Sequence, residues 1–566
     1  MVEILKGLGI RHITMNPGAS FRALHESLVD SGSPELIMTL HEEVAVGIAH
    51  GYAKAAGQPM AVAVHNLVGL QHASMAIFNA YCDNVPMLVV GGAGPSDTTR
   101  RRPWIDSVHT PNFQNLAVRD IVKWDAEPRT LQAVPDAFVR AYRVAMTQPQ
   151  GPTYVAVDVL HQEGPAGDVV PGLVDTRAPS SFSAPVELLE EFADLLVRAE
   201  RPVVVADNVG RSRTGFDALI AVAELLAVPV VDLQARHNFP NTHWADGTPA
   251  KAELLGEADV VLVLDARELA LSIGESDHDR HGWNRLAHPD ARILVIGLND
   301  LGHSGFIDKE LMVRDSTVAV ADTAVALPTL LDLLKNAGGG DRTERRRRLT
   351  ERTNAWRAAS RKVNDAPGSL ISPDRLVDSV GAAVQPTGPW QLAFPSFRGI
   401  ARRTWDMNGY NAHLGGSGGA GLAYGPAATV GAALAHKSDE TLVVGLQPDG
   451  DLLYAPMALW TAAHHDLPLL MVVENNRSYG ADRLHQARIG RLRNRSEDKV
   501  SVGIDLENPA VDIAGLARAQ GVRAWSVEQR AGLEETLAEA VSFVRGKNQP
   551  GVVVVDVERP ERAGLG

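Results

Sequence analysis

Short runs of apolar residues alternate with helix-length stretches along most of the chain. In the clearest case, an apolar run at 442–447 leads into Asp449-Gly450-Asp451, and a second run at 469–473 leads into Asn475-Asn476. The residues between them, 455–465, mix apolar and polar positions as a helix does. The pattern predicts a strand, a helix and a second strand. Its polar residues follow the carboxyl ends of the two strands, where open parallel sheets bind their ligands.

The same alternation divides the chain into three units. Further apolar runs predict strands in the first two units, at 12–15, 36–40, 61–64, 87–90, 153–157, 203–206, 228–231, 260–264 and 293–296, and a closing strand in the third unit at 551–557. A passage rich in Pro, Ser and Gly at 164–185 and a Gly-rich one at 336–340 separate the units. We therefore expect an α/β protein with three doubly wound parallel-sheet domains, at 1–165, 185–335 and 370–566.

Composition and charge narrow the class of protein. The 566 residues are 45% hydrophobic and 22% charged, as in globular α/β proteins. The net charge of −14 argues against a nucleic-acid partner, and the basic cluster 345–348 is expected on the solvent side of a linker helix. A single cysteine, Cys82, excludes an intramolecular disulfide. Because the N-terminus lacks a signal-peptide pattern and no apolar stretch could span a bilayer, we expect a cytoplasmic protein, of the size of an enzyme, without a membrane partner.

The polar residues that follow the two predicted strands of the third unit resemble a known cofactor signature. Asp449-Gly450 followed by Asn475-Asn476 is similar to the thiamine-diphosphate motif, although Pro448 stands where that motif has Gly. Three sequential α/β units resemble the pyruvate decarboxylase and acetolactate synthase superfamily. The resemblance implies thiamine diphosphate with Mg²⁺ or Ca²⁺, hard cations that prefer oxygen ligands. It implies metal ligation by Asp449, Asn476 and Ser478, and further cofactor contacts by Gly450, Asp451, Tyr479 and Gly480.

Residues of the first unit resemble the part of the family's site that faces the aminopyrimidine ring. Glu42 matches the carboxylate that shares a proton with a ring nitrogen; without the resemblance, it is a charge partner for a helix N-terminus. His65 matches an active-site histidine of the benzoylformate decarboxylase branch and can move protons at neutral pH. Its alternative role is to cap the following helix. Ser20 lies near the branch's carboxylate-binding serine, with a helix N-cap as the alternative. His109 stands where that branch has an apolar residue in contact with the aryl ring of the substrate. A histidine there implies a substrate with a more hydrophilic acyl group.

Other positions match the family less closely. Leu422 resembles the apolar residue that bends the bound cofactor, with core packing as the alternative role. Ser396 resembles a diphosphate-binding position, and His485 is a reserve candidate for proton transfer. Either His278 or His281 could supply a second active-site histidine. The second unit has no persuasive nucleotide fingerprint, so FAD is not expected.

Together these features imply a thiamine-diphosphate- and Mg²⁺-dependent carbon–carbon lyase that decarboxylates a 2-oxo acid non-oxidatively through an enamine intermediate. The first alternative is acetolactate-synthase-like carboligation, in which a second carbonyl captures that intermediate. The second is a non-catalytic, cofactor-binding paralogue. By the same resemblance, Glu42 and the metal ligands come from different subunits. We therefore expect a homodimer or homotetramer with its active sites between subunits, while the acyl substrate stays open.

Overall fold

The computed structural model describes residues 1–167, 177–277, 281–301, 313, 315–338, 340–363, 370–396 and 398–559. These residues form three parallel sheets and one short antiparallel hairpin, which confirms the predicted α/β class. None of the helices in these ranges is both long enough and apolar enough to cross a membrane.

The first sheet contains six parallel strands. They are β1 (His12–Met15), β2 (Glu35–Met38), β3 (Met60–Val64), β4 (Met87–Ala93), β5 (Trp124–Ala126) and β6 (Pro152–Asp158). Their order is β2-β1-β3-β4-β6-β5. Strands β3 and β6 are buried at every position because helices cover both faces of the sheet. The accompanying helices are α1 (Val2–Gly7), α2 (Arg22–Ser31), α3 (Glu42–Ala56), α4 (Leu67–Cys82), α5 (Ile105–His109), α6 (Ala133–Met146) and α7 (Val159–Glu163).

The middle sheet contains five parallel strands and has the hairpin beside it. The strands are β7 (Pro202–Ala206), β8 (Val230–Asp232), β9 (Val260–Leu264), the hairpin pair β10 (Gly274–Asp277) and β11 (Gly282–Arg285), β12 (Arg292–Gly297) and β13 (Ser316–Val320). The sheet order is β13-β12-β9-β7-β8. Its helices are α8 (Val186–Arg198), α9 (Arg213–Leu226), α10 (Lys251–Glu257), α11 (Leu269–Ser272), α12 (Thr323–Ala337) and α13 (Thr343–Ser360). Helix α13 carries the basic cluster 345–348 on its surface.

The third sheet contains the strands on either side of the predicted cofactor motif. They are β14 (Trp390–Pro395), β15 (Leu442–Pro448), β16 (Leu469–Asn475), β17 (Arg523–Val527) and β18 (Gly551–Asp556), in the order β14-β15-β16-β18-β17. The helices are α14 (Pro373–Val384), α15 (Arg398–Thr404), α16 (Tyr424–Ala435), α17 (Asp449–Tyr454), α18 (Ala458–His464), α19 (Gly480–Leu492), α20 (Ile513–Ala519) and α21 (Leu533–Lys547).

Helices α3 and α16 join the first and third sheets into one hydrophobic core. At their crossing, a Cβ on Gly51 would lie 2.1 Å from the carbonyl oxygen of Ala428, and a Cβ on Gly431 would lie 2.0 Å from that of Ile48. Only glycine lets the two backbones approach this closely. The crossing therefore fixes α3, which begins at Glu42, against the helix that follows the glycine-rich loop.

Candidate active site

Four of the predicted site residues follow strands of the first sheet. Ser20 lies in the turn after β1, Glu42 begins α3 after β2, and His65 directly follows β3. Parallel strands end at a common edge, so these side chains meet there. His109, at the end of α5, places its ring 5.6 Å from the ring of His65 in an edge-to-face arrangement.

Glu42 and His65 both lie against the position where a residue other than glycine at 69 would carry its side chain. A Cβ on Gly69, in the first turn of α4, would lie 2.8 Å from Oε1 of Glu42 and 2.7 Å from Cβ of His65. Glu42 is only 7% exposed. Burial lowers the pKa of His65 below its usual range, and the charge of His109 lowers it further. His65 is therefore a neutral imidazole near pH 7, able to accept a proton.

The capping roles considered for Ser20 and His65 are both wrong. Helix α2 begins at Arg22, beyond Ser20, and the position that precedes α4 is Asn66. The Ser20 hydroxyl instead accepts a hydrogen bond from the backbone N–H of Asn66 at 3.0 Å, and the side chain is buried. Because the oxygen accepts this bond, the Ser20 O–H can donate to another group.

Asp449 is a buried carboxylate at the edge of the third sheet. It begins α17 directly after β15 and is 1% exposed. The backbone N–H groups of Gly450 (2.7 Å) and Arg477 (2.6 Å) donate to its two oxygens. No lysine, arginine or histidine among the described residues forms an ion pair with it. Burial raises the pKa of Asp449 to about 6, because the buried charge has no cationic partner.

The oxygen atoms around Asp449 fit a divalent cation. Oδ1 of Asn476 is buried without a hydrogen-bond partner, and the backbone carbonyl of Ser478, two residues later, is the further oxygen that the resemblance implies. No cluster of three His, Cys, Asp or Glu side chains in the described chain could hold a metal, so a site here needs the amide and carbonyl oxygens as well. Nearby, burial raises the pKa of Asp451 to about 6. Burial also raises the pKa of Glu43 to about 7, with repulsion from Asp451 adding to the effect. A bound cation would offset this negative charge.

The glycine-rich loop 415–423 is held by the first unit. Asn79 accepts a hydrogen bond from the Gly421 N–H at 3.1 Å and donates to the Gly421 carbonyl at 3.3 Å. Lys54 donates to the carbonyl of Gly416 at 2.8 Å. Leu422 stays 40% exposed, so its alternative role in core packing is wrong for this chain.

The remaining cofactor candidates lie around the same edge of the third sheet. Asp451 accepts the Ala423 N–H at 2.7 Å, the Tyr479 ring lies against Gly450, and Gly480 begins α19. The hydroxyl of Ser396 donates to Glu474 at 3.1 Å. Sequence reasoning missed Glu474, which is 1% exposed and whose pKa burial raises well above its usual range. The sequence feature that could have identified Glu474 is its position, as an acidic residue directly after the apolar run of β16.

Other candidate histidines lie apart from these clusters. His485 is exposed on α19, and His281 is exposed in the turn between β10 and β11. Neither has a described contact with Glu42, His65 or Asp449. His278 lies outside the described residues.

Comparison with known families matches the two units that carry these groups of candidate residues, the first and the third. The profile of the thiamine pyrophosphate enzyme N-terminal TPP binding domain matches residues 1–116, and that of the C-terminal TPP binding domain matches residues 396–557. The chain belongs to the thiamine-diphosphate-dependent enzymes, among the decarboxylases and acetolactate synthases.

Individual relatives match over nearly the full length. Benzoylformate decarboxylase of Pseudomonas aeruginosa is 26% identical over 96% of each chain. An acetolactate synthase isozyme 3 large subunit of Escherichia coli is 24% identical over 98% of this chain and 93% of its own. The structure of a 4-hydroxybenzoylformate decarboxylase of Rhodococcus jostii RHA1 superposes with a TM-score of 0.79, at 23% identity over 99% of this chain and 98% of the other. That structural similarity confirms the fold.

Proposed function

We propose that this protein decarboxylates a 2-oxo acid non-oxidatively, with thiamine diphosphate and a divalent cation, Mg²⁺ or Ca²⁺. The observation that carries the proposal is the grouping of Glu42 with His65, His109 and Ser20 at one sheet edge. A carboxylate, two imidazoles and a free hydroxyl donor are the groups that proton transfer beside a bound 2-oxo acid requires.

The third unit would hold the cofactor. Asp449, Asn476 and the Ser478 carbonyl would bind the cation, and Leu422 would contact the cofactor from the glycine-rich loop. Ser396, Gly450, Asp451, Tyr479 and Gly480 would surround the diphosphate. When bound, thiamine diphosphate supplies carbanion-stabilising chemistry that no protein side chain offers.

The first unit would bind the substrate and move protons. Glu42 would share a proton with the aminopyrimidine ring, in a buried position where such a hydrogen bond is strong. Neutral His65 would accept or return a proton at the reacting carbon, with His109 beside it. The Ser20 O–H would donate to the substrate carboxylate. His109 also makes this side of the site polar, which favours a hydrophilic acyl group over a plain aryl ring.

Glu42 and Leu422 lie beside different positions along α4, and we expect an active site shared between two copies. Glu42 contacts the position of Gly69 on α4, whereas Gly421, next to Leu422, contacts Asn79 ten residues further along the same helix. At 1.5 Å per residue Asn79 is about 15 Å from Gly69 along the helix axis, and Met75, whose side chain also lies beside Gly421, is about 9 Å from it. A second copy would bring its own Leu422 to this Glu42. The assembly would be a homodimer or a homotetramer.

Exposed apolar side chains near the first-unit half of the site support the same assembly. Leu40 and Val68, which adjoin Glu42 and His65 in the sequence, are 43% and 39% exposed. In the segment that carries His109, Trp104 is 75% exposed and Phe113 is 62% exposed. Large apolar groups left in water at a site are typical of a surface that a partner covers.

A substrate screen tests the proposed function. The protein would be given thiamine diphosphate, Mg²⁺ and single 2-oxo acids, with and without an aldehyde acceptor, and CO₂ and products would be followed by mass spectrometry. Release of CO₂ and free aldehyde from a polar 2-oxo acid is the expected result. Products heavier than that aldehyde would instead favour carboligation, as in the acetolactate synthase relatives. No turnover of any 2-oxo acid would contradict the proposal.

Glu42→Gln is the matched control for this screen. The substitution keeps the size and buried position of the side chain but removes the carboxylate, so we expect turnover to fall about 10²- to 10⁴-fold while the circular dichroism spectrum is unchanged. Full activity in this variant would exclude the role assigned to Glu42.

A further inference from the structure

The loop that would bind the cation is paired with a separate segment of the chain. Residues 477–479 lie antiparallel to 504–506, with Ser478 opposite Asp505. The Tyr479 N–H donates to the Ile504 carbonyl at 3.2 Å, and the Leu506 N–H donates to the Arg477 carbonyl at 2.8 Å. The backbone on either side of Ser478 is therefore fixed from outside the cofactor site.

Asp505 adds a network of charged hydrogen bonds to this pairing. Its carboxylate accepts hydrogen bonds from the Ser478 hydroxyl at 2.8 Å and from Nη1 of Arg483 at 2.9 and 3.2 Å. Nη1 of Arg559 donates to it at 3.3 Å, while Nε of the same guanidinium donates to the Asn476 carbonyl at 3.0 Å. The Asp505 side chain is 12% exposed, so the network is largely shielded from water.

We propose that Asp505 is a positioning residue for the divalent cation. It would hold the backbone that carries the Ser478 carbonyl through the Ser478 hydroxyl, and the backbone of Asn476 through Arg559, without binding the cation itself. This inference rests on the proposed function, because it assigns Asn476 and Ser478 as ligands. Residues that orient metal ligands in this way typically change metal affinity about 10- to 100-fold when they are replaced.

Mn²⁺ binding measures this effect without depending on turnover. Electron paramagnetic resonance would determine free Mn²⁺ in titrations of the full-length protein with thiamine diphosphate. For Asp505→Ala we expect the Kd for Mn²⁺ to rise about 10- to 100-fold. Turnover should recover at saturating Mn²⁺, because the ligands themselves are intact. Asp505→Asn keeps an oxygen for Ser478 but loses the charge that attracts the two arginines, so its effect should be smaller.

A matched control separates positioning from a general effect of losing an ion pair. Asp315 accepts two hydrogen bonds from Arg285, at 3.1 and 2.8 Å, in the middle unit. Asp315→Asn should leave the Kd for Mn²⁺ unchanged. Circular dichroism would establish that each variant is folded, and Asp505→Asn carries the test if the alanine variant is not.

Two results would overturn the inference. One is a Kd for Mn²⁺ in folded Asp505 variants equal to that of the unsubstituted protein. The other is a raised Kd combined with turnover that stays low at saturating Mn²⁺, which would mean that Asp505 does more than position the cation ligands. If the unsubstituted protein itself binds no Mn²⁺ in the presence of thiamine diphosphate, the proposed function fails and the inference fails with it.

Discussion

Replacing Gly51 by alanine tests whether the close crossing of α3 and α16 holds the first and third units together. The added Cβ would lie 2.1 Å from the carbonyl oxygen of Ala428 and 2.6 Å from its Cα. Both are backbone atoms, so no side-chain rotation relieves the clash. The helices would have to separate by about 1 Å, a gap that forfeits a quarter to a half of each van der Waals contact at the crossing. We expect a loss of about 1–3 kcal/mol in the free energy of unfolding.

Gly546 provides the matched control. It also lies in a helix, α21, but a Cβ there would meet nothing within 4 Å. Gly546→Ala should therefore raise stability by about 0.5–1 kcal/mol, through the better helix propensity of alanine. The same substitution is thus expected to have opposite signs at the two positions.

Urea unfolding, followed by tryptophan fluorescence and far-ultraviolet circular dichroism, would compare the variants. Midpoints are the appropriate quantity, because a chain with several sheets need not unfold in two states. A midpoint for Gly51→Ala equal to or above that of the unsubstituted protein would refute the reasoning. It would mean that the helices separate at no cost, and that their crossing does not fix the relative position of the two units.

Three further predictions concern buried charge. Burial lowers the pKa of His65 below its usual range, so turnover should hold down to the pH at which an ordinary imidazole is half protonated, about 6.5, and decline only below it; a pH–rate profile already falling above that pH would contradict this. Asp449→Asn should abolish Mg²⁺-dependent turnover. Because the folded pKa is raised to about 6, the cofactor-free unsubstituted protein should lose up to about 3 kcal/mol of stability as the pH rises from about 4 to about 6, a loss that Asp449→Asn should lack; equal pH dependence of the two melting temperatures would count against a buried charge. Lys54→Met should cost up to about 3–5 kcal/mol in urea unfolding, since it leaves buried Asp83 with only His50 and the more distant Arg267 as partners. The exposed ion pair of Lys335 gives a control, in which the same change should cost at most about 1 kcal/mol.

The apolar pattern predicts the interior strands of the sheets, and the strands that it misses lie at sheet edges. Runs of apolar residues located every interior strand of the three sheets to within three residues, because those strands are buried on both faces. The four strands missed from the sheets, β5, β13, β14 and β17, all lie at an edge. Edge strands keep polar or half-exposed positions, as in Arg523–Val527, so their apolar run is broken. The hairpin strands β10 and β11 were missed for a related reason, since they are hydrophilic and form no buried layer.

The residues of the candidate site also differ in how far the sequence alone could locate them. Glu42, His65 and Asp449 could be placed from the sequence, because each follows directly on a predicted strand and its neighbourhood is set by local chain direction. Lys54 could not, because its partner Gly416 is 362 residues away in the chain and only tertiary packing brings them together. Asp505 likewise has no local pattern that points to the loop of Asn476 and Ser478. Local periodicity therefore predicts which residues stand at a sheet edge, but not which residues hold them there.

The glycine-rich loop 415–423 shows why a cofactor motif can also be a packing motif. A Cβ on Gly415 would lie 1.8 Å from the carbonyl oxygen of Ala235 in the middle unit, and a Cβ on Gly421 would lie 2.1 Å from the Met75 side chain in the first unit. Units on two sides thus press against the loop, and larger side chains at these positions would push it away. Leu422 is the large apolar residue of the loop that stays exposed. The glycines allow the first and middle units to fix the backbone, and that fixed backbone sets where Leu422 is presented.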